Sequence, residues 1–256
     1  MSETPSDKQV MDAFLQAVAR GERVALATVV CSSDTVPLGA KLLAREGAVT
    51  GSFGSEALDA WAREQCQKAL AERESRMVRH AEGLEVFFEV VEPTRTLLVV
   101  GAGHIGQALS RLGKFLGFQV AVIDDRPFFA NAEHLPEADE IITEDFAQAL
   151  GRFPIHEATY VVLVTRGHEH DEVSLRQVIS SKAAYVGMIG SKRRVRAVLE
   201  RLRAEGVPEA LIKRVHSPIG MDIGAETPEE IAVSIAAELI MAQRGGTGAS
   251  LSQKEG

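Results

Sequence analysis

The stretch that decides the fold runs from Thr96 to Asp125 and reads TLLVVGAGHIGQALSRLGKFLGFQVAVIDD. An apolar run, Thr96–Val100, leads straight into Gly101, Gly103 and Gly106, which have GxGxxG spacing. A helical segment then runs as far as Gly117, and a second apolar run, Gln119–Ile123, stops at Asp124-Asp125. The glycine string alone is a weak signal, because glycines are common in turns. A buried strand before it, a helix after it and an acid ending the next strand point to a dinucleotide-type phosphate turn, the alternative being a vestigial turn that only packs. Gly101 permits the tight turn, Gly103 lets a pyrophosphate approach the backbone, and Gly106 lets the helix pack on the sheet. The helix start at His104 and Ile105 offers free N–H groups and partial positive charge to that phosphate. His104 either touches the ligand or occupies a surface position exposed by the turn. Asp124 falls where an adenosine ribose is usually bound, and its charge disfavours a 2′-phosphate. Asp125 and Arg126 either join this site or cap a loop together with Pro127.

Downstream, strands and helices keep alternating, the pattern of a parallel sheet with crossover helices. Strands are expected at Glu140–Thr143, Tyr160–Thr165, Ala183–Gly187 and Arg214–His216, with a helix from Ser191 to Ala204. The final helix, Pro228 to Gln243, has Thr227 as N-cap, Pro228 at its first position and Glu230 completing a capping box. Ile231, Ile235 and Leu239 give it a buried stripe. The tail after Arg244, GGTGASLSQKEG, has the composition of a disordered segment.

Two further clusters fall at strand ends, where parallel sheets bind ligands. The first is Arg166-Gly167-His168-Glu169-His170-Asp171. Arg166 suits an anion, and His168, His170 and Asp171 are candidates for proton transfer. Asp171 serves equally well as the cap of a helix starting at Glu172. A metal site needs more ligands than the sequence locates, so none is expected. The second is Gly190-Ser191-Lys192-Arg193-Arg194-Val195-Arg196. Its cations crowd the first turns of a helix, each costing roughly 0.3–1 kcal/mol against the macrodipole. Gly190, Ser191, Lys192 and Arg193 therefore suggest an anion cradle, the alternative being a solvated basic face. A third loop, 216–224, offers His216 and Asp222 as site residues or as parts of a structural turn.

Residues 1–92 read as a separate, smaller α/β unit, punctuated by Pro93. A helix is expected over Met11–Arg20, strands at Val24–Val30, Lys41–Leu43, Ala48–Thr50 and Leu84–Val91, and a helix at Glu56–Arg73. The division is thus 1–92, a Rossmann-type domain over 93–244, and a tail over 245–256.

Bulk properties limit the function classes. A net charge of −8 leaves no basic excess to neutralise a nucleic-acid backbone. Two cysteines, Cys31 and Cys66, without CxxC spacing argue against a disulfide scaffold or a structural zinc site, and fit a reducing cytoplasm. There is no signal-like N-terminus and no apolar run of about 20 residues, so no membrane span is expected.

Taken together, GAGHIG, DDRPFFAN, TRGHEHDE, VGMIGSKRR and HSPIGMDIGAETPEEIAVSIAAE resemble the XdhC/CoxI family, accessory factors of molybdenum hydroxylases of the xanthine and carbon monoxide dehydrogenase type. The resemblance is dense from Leu98 to Glu238. It implies a cytoplasmic, homodimeric protein that binds molybdenum cofactor, as molybdopterin or its cytosine dinucleotide. Such a protein helps to sulfurate the cofactor or deliver it to the apo-enzyme, with a cysteine desulfurase as a further partner and no turnover of its own. Residues 1–92 match this family less well. Gly39-Ala40-Lys41 resembles its GAKM segment, but the preceding SSDTVPL is short, and Ala57 falls where the family has a cysteine. Cys31 is a possible substitute thiol, or simply an edge or buried cysteine. The competing expectation is an NAD(P)-dependent oxidoreductase using His168, His170 or Asp171 for proton transfer, and a nucleotide-sensing module is a third.

Overall fold

The structure, a computed structural model, describes residues 7–32, 36–45 and 47–253. The chain divides into two compact units, Met1–Pro93 and Thr94–Gly256.

In the first unit a five-stranded antiparallel sheet has the order β3-β2-β1-β5-β4. Its strands are β1 (Val24–Cys31), β2 (Lys41–Arg45), β3 (Ala48–Gly51), β4 (Arg76–Arg79) and β5 (Glu85–Val91). Alternation along β1 sends Val24 and Leu26 to one face, where Val10 and Ala17 of α1 (Asp7–Ala19) cover them. Ala25, Ala27 and Val29 face the other side, against Ala62, Cys66 and Ala69 of α2 (Glu56–Glu72). Trp61 of α2 meets Phe88 edge to face at 5.7 Å. The short β4 was not expected from the sequence; its RMVR offers one apolar pair between arginines and forms only through pairing with β5. Of the shortened SSDTVPL stretch, residues 33–35 lie outside the described residues.

The second unit is a six-stranded parallel sheet, order β11-β10-β9-β6-β7-β8. The strands are β6 (Thr96–Val100), β7 (Gln119–Ile123), β8 (Glu140–Ile142), β9 (Thr159–Leu163), β10 (Tyr185–Met188) and β11 (Val215–His216). Leu97, Val99, Val120, Val122 and Val162 pack on one face beneath α3 (His104–Phe115) and α8 (Pro228–Arg244). Leu98, Val100, Ala121, Ile123, Val161 and Leu163 pack on the other. There they meet α4 (Phe146–Arg152), α5 (His168–Val178), α6 (Lys192–Ala204) and α7 (Glu209–Ile212). Strands buried on both faces are continuous apolar runs, which is why β6, β7 and β9 stand out in the sequence. The architecture agrees with the expected Rossmann-type sheet with helices on both faces and a smaller α/β unit before it.

The capping box of α8 is present: Thr227 accepts from Glu230 N–H, and the Glu230 carboxylate accepts from the Thr227 N–H at 3.0 Å. Two expectations change. Helix α5 starts at His168 with Gly167 as N-cap, so Asp171 lies inside its first turn and does not cap a helix beginning at Glu172. The tail expected to be structureless carries a 3-10 turn at Leu251–Gln253 in its described part.

Candidate functional site

The switch in strand order lies between β6 and β9, and ligands of open α/β sheets bind at the carboxyl ends of such strands. β6 ends in the glycine turn. Gly101 has φ 116°, and a Cβ there would stand 2.5 Å from the Val164 carbonyl oxygen. A Cβ on Gly106 would collide with the Gly101 carbonyl oxygen, so this glycine fixes how closely α3 approaches the strand. Gly103 differs, with no heavy atom within 4 Å of its Cβ position. In dinucleotide-binding turns that open side is where a phosphate approaches the backbone. Gly103 is the N-cap of α3 and no side chain caps the helix, so the first-turn N–H groups stay available to an anion. His104 is exposed at the helix start, whereas Ile105 packs into the core beneath it.

Asp124 does something the sequence did not show. It is 1% exposed, and its carboxylate accepts from the Ala102 N–H at 2.8 Å and the Arg126 N–H at 3.0 Å. The Arg126 guanidinium adds Nε at 2.8 Å and Nη2 at 2.9 Å. All four acceptor directions are therefore taken. Burial alone pushes this carboxyl upward, but the Arg126 side chain and the two backbone N–H groups outweigh it and hold the group below the usual range. Asp124 thus ties the glycine turn to the end of β7, and no lone pair remains for a ribose diol. Arg126 in turn lies 4.1 Å above the Phe129 ring.

Asp125 pairs with Arg166 in a two-pronged bridge, with distances of 2.5 Å and 2.9 Å. Arg166 follows β9 and Asp125 follows β7, and β6 lies between these strands. The bridge therefore spans the end of β6 from which the glycine turn leaves. Arg166 is brought to the glycine-turn end of the sheet with an internal carboxylate as its counter-ion.

Asp171, 2% exposed, accepts from Thr165 Oγ1 at 2.6 Å and Thr165 N–H at 3.3 Å. Burial dominates and leaves its carboxyl above the ordinary range, although Thr165, Arg194 and His170 pull the other way. His170 packs against Phe146 at 5.3 Å. The side chain of His168 lies outside the described residues.

β10 leads through Gly190 to Ser191, whose Oγ accepts from the Arg194 N–H and caps α6. Arg201 and Arg203 are paired with Glu172 and Glu209. Lys192, Arg193, Arg194 and Arg196 are exposed, and none forms an ion pair among the described residues. Lys192, Val195, Arg196, Leu199 and Arg203 line an open groove of about 410 Å³ together with Ser217 and Pro218.

A further group was only half legible. Glu238 of α8 is 8% exposed and accepts from Tyr185 Oη at 2.8 Å and Gly220 N–H at 2.6 Å. His216 Nδ1 stands 3.1 Å from its other oxygen. These bonds, with the His216 contact, hold Glu238 below its usual range despite burial, while burial beside Glu238 drives the Tyr185 hydroxyl far upward. The cluster clasps the 217–220 loop to α8. Its one sequence signal is an acid seven residues after Ile231, on the stripe that should be apolar. Asp222 is exposed and no part of the clasp.

In the first unit Ala57 is exposed in the first turn of α2, and Cys31 is exposed at the end of β1. The Cys66 thiol is buried and pushed up to about 12 by desolvation, which leaves it inert. Among the described residues no group of three or more His, Cys, Asp or Glu is placed to hold a metal ion, and no helix is long and apolar enough to cross a membrane.

Comparison with known proteins matches residues 97–239 to the XdhC Rossmann domain and residues 17–81 to the XdhC and CoxI family. A protein of Escherichia coli (strain K12), YqeB, described as uncharacterized, is 31% identical over 93% of this chain and 47% of its own length. A Bacillus subtilis (strain 168) protein described as a probable xanthine dehydrogenase subunit is 33% identical over 62% of this chain and 46% of its own. The chain thus spans about half the length of these curated relatives. A crystal structure from Bacillus halodurans, described as a xanthine dehydrogenase, superposes with a TM-score of 0.55 at 20% identity, covering 97% of this chain and 98% of the other. That likeness speaks to the fold. With a family match running through the glycine turn, the Asp124 bracket and the basic start of α6, the chain belongs to the XdhC and CoxI family.

Proposed function

We propose that this protein is an accessory factor for a molybdenum hydroxylase of xanthine dehydrogenase type, and that its Rossmann-type unit holds molybdenum cofactor for sulfuration or transfer to the apo-enzyme. One observation carries the reading: an uncapped glycine turn, open at Gly103, and the exposed Lys192, Arg193 and Arg196, which form no ion pair among the described residues, lie at the carboxyl ends of strands of one sheet. That arrangement fits a small molecule with a phosphate or diphosphate, such as molybdopterin or its cytosine dinucleotide. Gly101, Gly103 and the first-turn amides of α3 would take the phosphate, and Arg166 would exchange Asp125 for it. Ser191, Lys192 and Arg193 would neutralise a second anionic part. The cofactor, when bound, supplies the redox-active molybdenum; this chain binds it, orients it and shields its charge. In this reading the sulfur comes from a cysteine desulfurase: position 57 is alanine, the Cys66 thiol is inert, and the exposed Cys31 is the one remaining thiol of the chain.

The saturated Asp124 carboxylate weighs against the dehydrogenase reading, because an NAD ribose would have to displace Arg126 to reach it. The test is gel filtration of the purified protein mixed with molybdenum cofactor. Co-elution is expected, and Lys192→Glu should lower the retained fraction several-fold. The elution volume also reads whether two copies associate, as the family resemblance implies. Tight NADH binding with substrate-dependent oxidation, and no retained cofactor, would replace this reading with an NAD(P)-dependent oxidoreductase.

A further inference from the structure

Phe128 stands out among the exposed apolar side chains of the second unit. It is 71% exposed and sits three residues after Asp125, at the carboxyl end of β7 beside the glycine turn. Phe115 is also exposed, but it ends α3, roughly 16 Å along the helix from the turn.

The loop that presents Phe128 is braced at nearly every residue. Phe129 and Ala130 N–H groups donate to the Arg126 carbonyl at 3.0 Å. Asn131 Nδ2 donates to the Pro127 and Phe128 carbonyls at 3.0 Å and 2.8 Å, and its Oδ1 accepts from the Glu133 and His134 N–H groups. Thr143 Oγ1 ties the Ala130 carbonyl to the far side. A loop held this firmly around an exposed ring holds the ring out for contact. The rings are also grouped: Phe128 meets Phe129 edge to face at 5.1 Å and His134 at 5.4 Å. Arg126 lies over Phe129, and its other contact, Asp124, binds the glycine turn.

We propose that Phe128, supported by Phe129 and His134, is the stacking platform for the planar heteroaromatic ring of the ligand whose phosphates bind at Gly101–Gly106. This rests on the phosphate-site reading above and adds to it the residue that recognises the ring. Aromatic faces accept pterins and nucleobases without regard to their hydrogen-bonding edges, so the class is a phosphorylated planar heterocycle.

Two probes separate the parts: inorganic pyrophosphate, which has no ring, and 6-hydroxymethylpterin diphosphate, which has both. Binding of each to wild type, Phe128→Ala and Phe128→Trp is measured by calorimetry on the full chain. Phe128→Ala should weaken the pterin probe by about fivefold or more, the range of a lost ring–base stack. Pyrophosphate should change by less than about twofold, because an exposed side chain contributes little to the fold. Phe128→Trp should keep or strengthen the pterin probe. Equal weakening of both probes, or no weakening of the pterin probe, overturns the platform while leaving the phosphate site standing. Wild type that binds neither probe overturns both readings.

Discussion

Arg126→Met is the most direct probe of the bracket that fixes the glycine turn. The variant keeps an unbranched apolar stem over Phe129 but leaves Asp124, 1% exposed, with two backbone N–H bonds and no counter-ion. Breaking a buried pair from one side costs about 3–5 kcal/mol. The Arg126 side chain is 30% exposed, so water already screens part of this pair. About 2–3 kcal/mol is the better expectation. With a urea dependence of about 2 kcal/mol per molar, the midpoint should drop by about 1–1.5 M. Far-UV circular dichroism follows unfolding of both units, and the single tryptophan, Trp61, reports by fluorescence on the unit without the bracket. The circular-dichroism transition should move more than the Trp61 transition.

Acidification tests the same pair from the side of its charge. Asp124 is held below its ordinary range. It therefore contributes stability that is fully present above the unfolded value of about 3.9 and is lost as pH falls through the folded value. In Arg126→Met the unpaired carboxylate protonates sooner, so the gap to wild type should narrow on acidification. A double-mutant cycle with Asp124→Asn should return a coupling well above about 0.5 kcal/mol at neutral pH. A coupling below that, or an unmoved circular-dichroism midpoint, refutes the bracket as a source of stability.

Two glycine variants should part company. Gly103→Ala points its methyl into open space at an extended backbone, so melting should stay within a few degrees while pyrophosphate binding is lost; Gly106→Ala strikes the Gly101 carbonyl and should lower both. Asp171 is raised mainly by burial, so its ionised form fits the folded state less well than the unfolded one, and it subtracts stability once pH rises past about 3.9. Asp171→Asn keeps an acceptor for Thr165 and should raise neutral-pH stability, with less gain in acid; a clear loss at neutral pH contradicts this.

Much of the second unit was legible because its central strands are apolar runs bounded by glycines and acids. β6 and β7 match the sequence reading residue for residue, and α8 announces itself through Thr227, Pro228 and Glu230. The start of α5 was misplaced because Gly167 caps it without a side-chain bond, while Asp171, a good capping residue type, turns inward to Thr165. For the site, sequence reading located the acids and arginines at the strand ends but not their partners. Whether Asp124 faces a ribose or Arg126 depends on how the chain after β7 folds back, which spacing alone leaves open. Tyr185 and Glu238, 53 residues apart, meet only because α8 returns across the sheet.

The place where the chain leaves β6 for one flank of the sheet and later begins β9 on the other has a wider consequence. A cleft opens there for reasons of connectivity, before any side chain is chosen. What the cleft carries is then decided by short segments beyond the strand ends, 101–106, 124–135 and 165–171, while most of the two packed faces that keep the sheet intact is built from the strands and helices. A lineage built on this scaffold is able to exchange one cargo for another by editing those segments, and the scaffold need not be reinvented each time.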